Sequence, residues 1–159
     1  MTVFRLGDRH KKDKINFLKR HWGTTEMVVS VRRFDMTALD GFIVYGANGE
    51  VSGLVTFIVY DNKECEIISL NSEYERQGIG TALIQSVIEE ARRVGCSKVK
   101  LITTNDNIIA LLFYQRKGFD MVELCYDMIK ESRKIRPQIP EHGYWGIPLK
   151  HEIRFEYLL

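Results

Sequence analysis

Cysteine is scarce in this chain: Cys65, Cys96 and Cys125 are scattered through 159 residues, with no Cys-x-x-Cys pair and no histidine at ligand spacing. That pattern excludes a sequence-legible zinc module and a disulfide framework, and it predicts reduced thiols, no metal and a cytoplasmic location. Proline is confined to Pro137, Pro140 and Pro148, so one irregular region is expected, over 136–150. Long apolar runs are missing too. The best of them, Gly53 to Tyr60, is too short for a bilayer, and residues 1–8 lack the apolar core of a signal peptide, which argues against a membrane partner. Neither sign of charge is in excess, with 23 Lys and Arg against 21 Asp and Glu, so the total does not point to nucleic acid.

What is present fits one ordinary domain spanning 1–159: 45% hydrophobic and 28% charged residues are enough for a single core. The charges are unevenly distributed. Residues 9–33 hold eight bases and two acids, 34–75 one base and eight acids, and 76–118 seven bases and three acids. The basic run 9–20 holds a single aromatic, Phe17, which is no interleaving of the kind that supports base stacking, and it reads as the wet face of a helix rather than a nucleic-acid site.

Residues 11–22 place Ile15, Leu18 and Trp22 at helical spacing, and Met27–Val31 reads as a strand. Gly41–Ala47 and Val51–Tyr60 flank Asn48-Gly49, which predicts a hairpin with a type I′ turn. A second turn at Asp61-Asn62-Lys63 leads to the strand Cys65–Leu70. On that strand, period-two geometry would put Glu64, Glu66, Ile68 and Leu70 on one face. Gly78–Val94 reads as a helix through Leu83, Ile84, Val87, Ile88 and Ala91, stopped by Gly95. Then come the strand Val99–Thr103, the helix Ile108–Lys117 stopped by Gly118, the strand Phe119–Leu124, a short helix Asp127–Ile135 and a strand His151–Leu158. Strands alternating with helices after an antiparallel meander predict a mixed α/β (α+β) sheet flanked by helices.

The sharpest local feature is Glu75-Arg76-Gln77-Gly78-Ile79-Gly80-Thr81 at a strand-to-helix junction. Its glycines permit close backbone approach, and the first helical turn offers N–H groups and a positive dipole end suited to a pyrophosphate. It is not a Rossmann fingerprint, which needs glycine where Leu83 stands, nor a P-loop, which needs Gly-Lys-Ser/Thr.

The remaining match is to the GNAT acyltransferases, which the chain resembles over most of its length. Their Gln/Arg-x-x-Gly-x-Gly/Ala signature falls on Glu75–Gly80, with Glu75 departing from the usual first residue. The stretch Asn107 to Phe119 is similar to the family's Asn-x-x-Ala-x-x-x-Tyr-x-x-x-Gly-Phe. Residues 134–140 and Gly146-Ile147-Pro148 resemble a bacterial subgroup whose members are mostly uncharacterised.

The resemblance implies an acyl-CoA N-acyltransferase fold, with a mostly antiparallel sheet of six to seven strands and a splayed central pair. It implies acetyl-CoA as cosubstrate and transfer to a primary amine of a small molecule. A protein lysine or N-terminal acceptor, and a non-catalytic acyl-CoA-binding module, are the alternatives; a homodimer is left open. Backbone from Gln77, Gly78, Ile79, Gly80 and Thr81, with Arg76, would hold the pyrophosphate. Leu70 or Asn71 would supply an oxyanion donor, and Asn107 would contact pantetheine or cap its helix. Tyr114 would protonate the leaving thiolate, and Glu64 or Glu66 would serve as base, directly or through water. Trp22, Glu26 and Arg33 are further candidates for acceptor contact. The acidic stretch 34–75 is expected on the amine side and the basic stretch 76–118 on the coenzyme side.

Overall fold

A computed structural model describes all 159 residues. Its strands are β1 (Val3–Arg5), β2 (Glu26–Val29), β3 (Arg32–Asp35), β4 (Asp40–Tyr45), β5 (Val51–Val59), β6 (Glu64–Ser72), β7 (Lys98–Thr104), β8 (Asp120–Cys125) and β9 (Glu152–Leu158). The helices are α1 (Lys11–Trp22), α2 (Ile79–Arg93), α3 (Ile108–Arg116) and α4 (Met128–Ile135). Seven strands form one sheet in the order β1-β4-β5-β6-β7-β9-β8, while β2 pairs with β3. The mixed α/β class and the strand number agree with expectation. By packing, the chain forms two compact units: Met1–Met27, Asp35–Val99 and Leu159 make the first, Val28–Phe34 and Lys100–Leu158 the second.

The first unit is built on the antiparallel meander β4-β5-β6 with β1 alongside β4. Both meander turns use the same device. Gly46 N–H donates to Glu50 O at 2.8 Å and Tyr60 N–H to Glu64 O at 2.9 Å; the third loop residue, Gly49 or Lys63, is left-handed at φ +81° or +64°. Asn48 and Asn62 accept the N–H groups of Glu50 and Glu64, each at 3.1 Å. The type I′ turn expected at Asn48-Gly49 therefore does not form. Asn48 is not left-handed, its side chain serves the loop, and a three-residue turn closes the hairpin.

Helices lie against the meander by burying one stripe each. On α1 the buried residues are Lys14, Phe17 and Leu18, whereas Trp22 is 39% exposed, so the buried stripe is rotated from the one expected. A lysine can join that stripe because its ammonium donates to Thr37 O at 2.9 Å and Leu39 O at 2.5 Å; burial lowers its pKa from the ordinary value. Phe17 and Leu18 cluster with Met36, Ile43, Val51 and Leu54. Helix α2 packs across β4, β5 and β6 through the five apolar positions expected, all of them buried. Gly53 on β5 makes this approach feasible, since a Cβ there would lie 2.4 Å from Ile79 Cγ2 and 3.0 Å from Leu83 Cδ1.

In the second unit β8 pairs antiparallel with β9, and α3 lies over them through Tyr114, whose ring centroid stands 5.6 Å from Phe119 and 5.9 Å from Phe155. The segment expected to be irregular is irregular but pinned. Arg133 donates to Pro140 O and Leu149 O, each at 2.7 Å, and Asn105 donates to Pro148 O at 2.9 Å while accepting from Lys150 and His151 N–H. The strand expected over Met27–Val31 ends at Val29. Ser30 and Val31 both take positive φ, 49° and 60°, the two-residue arrangement of a type I′ turn, and β3 runs back. A valine at positive φ is costly. The tip is held by Glu152, 1% exposed, which accepts Ser30 N–H at 2.9 Å and Ser30 Oγ–H at 2.7 Å; Val31 N–H donates to Ser132 Oγ at 3.3 Å.

Candidate active site

The junction between β6 and α2 is shaped before any ligand arrives. Glu73 N–H donates to Ser52 O at 2.8 Å as the chain leaves the sheet. The Glu73 carboxylate takes Arg20 and His21 of α1, each at 3.0 Å, so the last turn of α1 fixes the entrance of the loop. Two left-handed residues follow within three positions, Arg76 at φ +62° and Gly78 at +76°, and they turn the chain into α2. Ile79 is buried and anchors the first turn. The first intrahelical bond runs from Ala82 N–H to Gly78 O at 3.0 Å, so the N–H groups of Ile79, Gly80 and Thr81 lie ahead of it. No side chain caps this end and no acidic residue sits in the first turn. A fifteen-residue helix thus presents its dipole and N–H groups without an internal anion, which is the physical requirement for binding phosphate. Gln77, Gly78 and Thr81 are exposed, and Gly80 is half-buried.

On β6 the carboxylates behave differently from each other. Glu66 is 2% exposed and accepts a 2.6 Å hydrogen bond from Tyr60 Oη. Glu64 is half-buried, and Lys98 Nζ stands 3.6 Å from its Oε1. The two share a face, as alternation requires, but the face does not continue to Leu70. Ser69 pairs with Thr56 and Ile67 with Phe57, so Ile68 is an extra residue without a partner on β5. Cross-strand partners share a face, so this bulge puts Glu66 (opposite Ile58), Ser69 and Asn71 on one side of the sheet and Leu70 (opposite Val55) on the other. Of the two candidates for the oxyanion donor, Asn71 therefore has its side chain on the carboxylate face. Thr56 and Ser69 are joined by a 2.6 Å hydrogen bond and are both buried.

In the second unit Asn107 is a helix cap: its Oδ1 accepts Ala110 N–H at 3.1 Å, which orders the start of α3. Tyr114 is 8% exposed, and burial among aromatic rings raises its pKa, so the phenol keeps its proton. Asp106, 4% exposed, accepts from Thr104 Oγ and from Tyr144 N–H at 3.1 Å, tying the pinned segment to the start of α3. Arg33, named as an acceptor contact, donates to Ile135 O. Tyr60 and Asp106 were missed in the sequence. Tyr60 lies two residues past Ile58 in the pairing of β5 with β6, a signal visible only once the register is known. No group of three or more His, Cys, Asp or Glu stands together as a metal site, and no helix is long and apolar enough to cross a membrane.

This helix-terminal cradle and mixed sheet define an acyltransferase architecture, and comparison with known proteins agrees. A model of the acetyltransferase (GNAT) family matches residues 12–119, and the chain belongs to that family. The uncharacterised protein YdhI of Bacillus subtilis is 42% identical over 144 residues, covering 91% of this chain and 89% of that one. The ribosomal protein bS18-alanine N-acetyltransferase of Escherichia coli is 30% identical over 74 residues, 46% of this chain and 50% of that one. Among solved structures, an IAA acetyltransferase from Bacillus cereus superposes with a TM-score of 0.74 at 21% identity, covering 99% of both chains. A GNAT family acetyltransferase from Elizabethkingia anophelis with acetyl-CoA bound gives 0.69 at 20% identity, covering 99% and 97%. At those identities the structural likeness establishes the acyl-CoA N-acyltransferase fold.

Proposed function

We propose that this chain is one cytoplasmic acetyltransferase domain that moves the acetyl group of acetyl-CoA to a primary amine of a small molecule. The observation that carries the reading is the uncapped start of α2 behind two left-handed residues, in a chain of the acetyltransferase family. Backbone of Gln77–Thr81, with Arg76, holds the pyrophosphate, and Leu70 or Asn71 supplies the backbone donor for the tetrahedral oxyanion. Glu66, its carboxylate oriented by Tyr60 Oη, removes the proton of the alkylammonium, whose pKa is about 10; Glu64 is the other carboxylate of that face. The freed lone pair attacks the thioester carbonyl carbon, the C–S bond breaks, and Tyr114 protonates the departing thiolate. Asn107 orders the start of α3 or contacts the coenzyme's pantetheine.

A protein N-terminal amine is the second reading, favoured by the partial likeness to the bS18-alanine N-acetyltransferase. A panel of small amines and N-terminal peptides, read by CoA thiol release, separates the two. Thermal shift with acetyl-CoA, CoA and NAD tests the coenzyme: acetyl-CoA and CoA should raise Tm, and stabilisation by NAD alone would defeat the proposal.

A further inference from the structure

We infer that the cavity between β1, the start of α1 and the end of β4 is a binding site for a small aromatic carboxylate, separate from the coenzyme cradle. The cavity has a volume of about 280 Å³ and is lined by Phe4, Arg9, His10 and Tyr45, all of the first unit. That volume lies just under the usual range for drug-sized ligands, so the occupant is compact. It is also set apart in the sheet: β4 and β5 stand between β1 and β6, the strand that leads into the cradle.

His10 supplies the donors. It is 4% exposed, and Gly7 N–H donates to its Nδ1 at 3.0 Å, closing the turn that precedes α1. The lone pair of Nδ1 is used there, so the ring hydrogen is on Nε2. Arg9 Nε stands 3.1 Å from that same Nε2, and a guanidinium nitrogen can only donate. Three hydrogens, those of Gly7, Arg9 and the ring itself, thus meet at an imidazole with one lone pair to offer. Burial, and after it the Arg9 charge, lowers the His10 pKa from its ordinary value, so the ring is neutral at pH 7; a protonated ring would have no acceptor at all. His10 Nε2–H and Arg9 Nε–H are therefore left side by side on two lining residues of the cavity. A buried donor without an acceptor is costly, and an anionic oxygen between the two satisfies both. Arg9 is in no ion pair, and its guanidinium carbon lies 5.4 Å over the Phe4 ring, at the same wall.

The rest of the lining selects the anion. The rings of Phe4, His10 and Tyr45 stand 6.2 Å apart in every pair, a corner of π surfaces suited to a flat, apolar body. Tyr45 contributes its ring alone, because its hydroxyl donates to Asp13 Oδ2 at 2.7 Å. The Asp13 carboxylate also limits the charge the site accepts. With one cation, a neutral imidazole and a carboxylate nearby, a dianion such as phosphate gains little, whereas a monoanionic carboxylate matches two adjacent N–H donors and a single guanidinium.

The test titrates benzoate into the full chain at pH 7 and follows the imidazole and guanidinium nitrogens by NMR. Before titration His10 is expected as the Nε2–H tautomer; the Nδ1–H tautomer would remove the donor and overturn the inference. Benzoate is expected to shift His10 Nε2 and Arg9 Nε, and to bind about tenfold more tightly than acetate or inorganic phosphate, with or without saturating CoA. Arg9→Gln, a change at an exposed side chain, should melt like the parent and weaken benzoate about tenfold. His10→Asn keeps an acceptor for Gly7 N–H in its Oδ1 and removes the Nε2 donor, so benzoate binding should weaken there too. Phosphate binding as tightly as benzoate, displacement of benzoate by CoA, or parental affinity in Arg9→Gln each overturns the inference.

Discussion

Tyr114 and Gly80 put the two halves of the proposed chemistry on single residues. Tyr114 sits against Phe113, Phe119 and Phe155, and burial raises its pKa, so at neutral pH it is protonated and is a donor there, not a base. Replacement by Phe keeps the ring packing and removes the acid, so kcat is expected to fall about 100-fold, with CoA affinity by calorimetry unchanged. A parental kcat in Tyr114→Phe would leave the residue a packing role only. At Gly80 the binding surface is main chain, so the relevant change is bulk. Gly80→Val should weaken CoA binding at least about 100-fold, because close approach of a pyrophosphate to a helix start requires an unobstructed backbone; tight binding by that variant would refute the cradle.

At the scale of elements, the placement of α2 decides whether the cradle exists. Gly53→Val would force branched carbons into Ile79 and Leu83, which a bare Cβ already meets at 2.4 and 3.0 Å. Overpacking of this kind costs roughly 1–3 kcal/mol, and since Ile79 is the first residue of the helix, CoA affinity should fall along with Tm; a loss of stability with full affinity would mean that the helix start tolerates displacement. The helix itself was legible in the sequence because its apolar period, its glycine stop and its glycine-rich start are all local. Asn107 was legible for the same reason, as a polar residue just ahead of an apolar run. The bulge at Ile68 was not legible. Strict alternation is the default for a strand, and only the pairing of Thr56 with Ser69 and Phe57 with Ile67 shows that Leu70 has changed sides. The turn at Ser30-Val31 was hidden by its residue types, neither of which favours positive φ. What stabilises it is Glu152, 122 positions away in the chain, and no local pattern carries that information.

For the whole molecule, the segregated charges of the sequence resolve first into partnerships. Three acids of the 34–75 stretch meet cations from outside it: Asp40 meets Arg5, Glu73 meets Arg20 and Glu64 meets Lys98. Three of the eight acids of that stretch are therefore partnered between elements, Glu64 of the β6 carboxylate face among them, so the excess of acid over base in the sequence overstates the charge open to an amine. The densest partnership lies elsewhere in the first unit. Glu90 of α2 is buried and accepts both Nε and Nη2 of Arg93 at 2.7 Å, and Arg5 of β1, stacked over Phe42 and Phe57, reaches the same carboxylate. These hydrogen bonds, Arg93 first and Arg5 after it, pull the Glu90 pKa down from 4.5 to about 2. A carboxylate with a depressed folded-state pKa contributes stability that is complete above its unfolded value and is lost as pH falls through the folded one. For Glu90 that window runs from about 4.5 down to about 2. Because the guanidinium groups are open to solvent and screened, the contribution is discounted to about 1 kcal/mol, or about 2–4 °C in Tm for a chain of this size. Melting curves of the parent and Glu90→Gln should therefore differ by that amount at pH 7, converge from pH 4.5 downward, and draw closer in 0.5 M salt, where surface ion pairs are screened. A gap that persists unchanged to pH 2 would assign the effect to the shape of the hydrogen-bonding group and remove charge from the account.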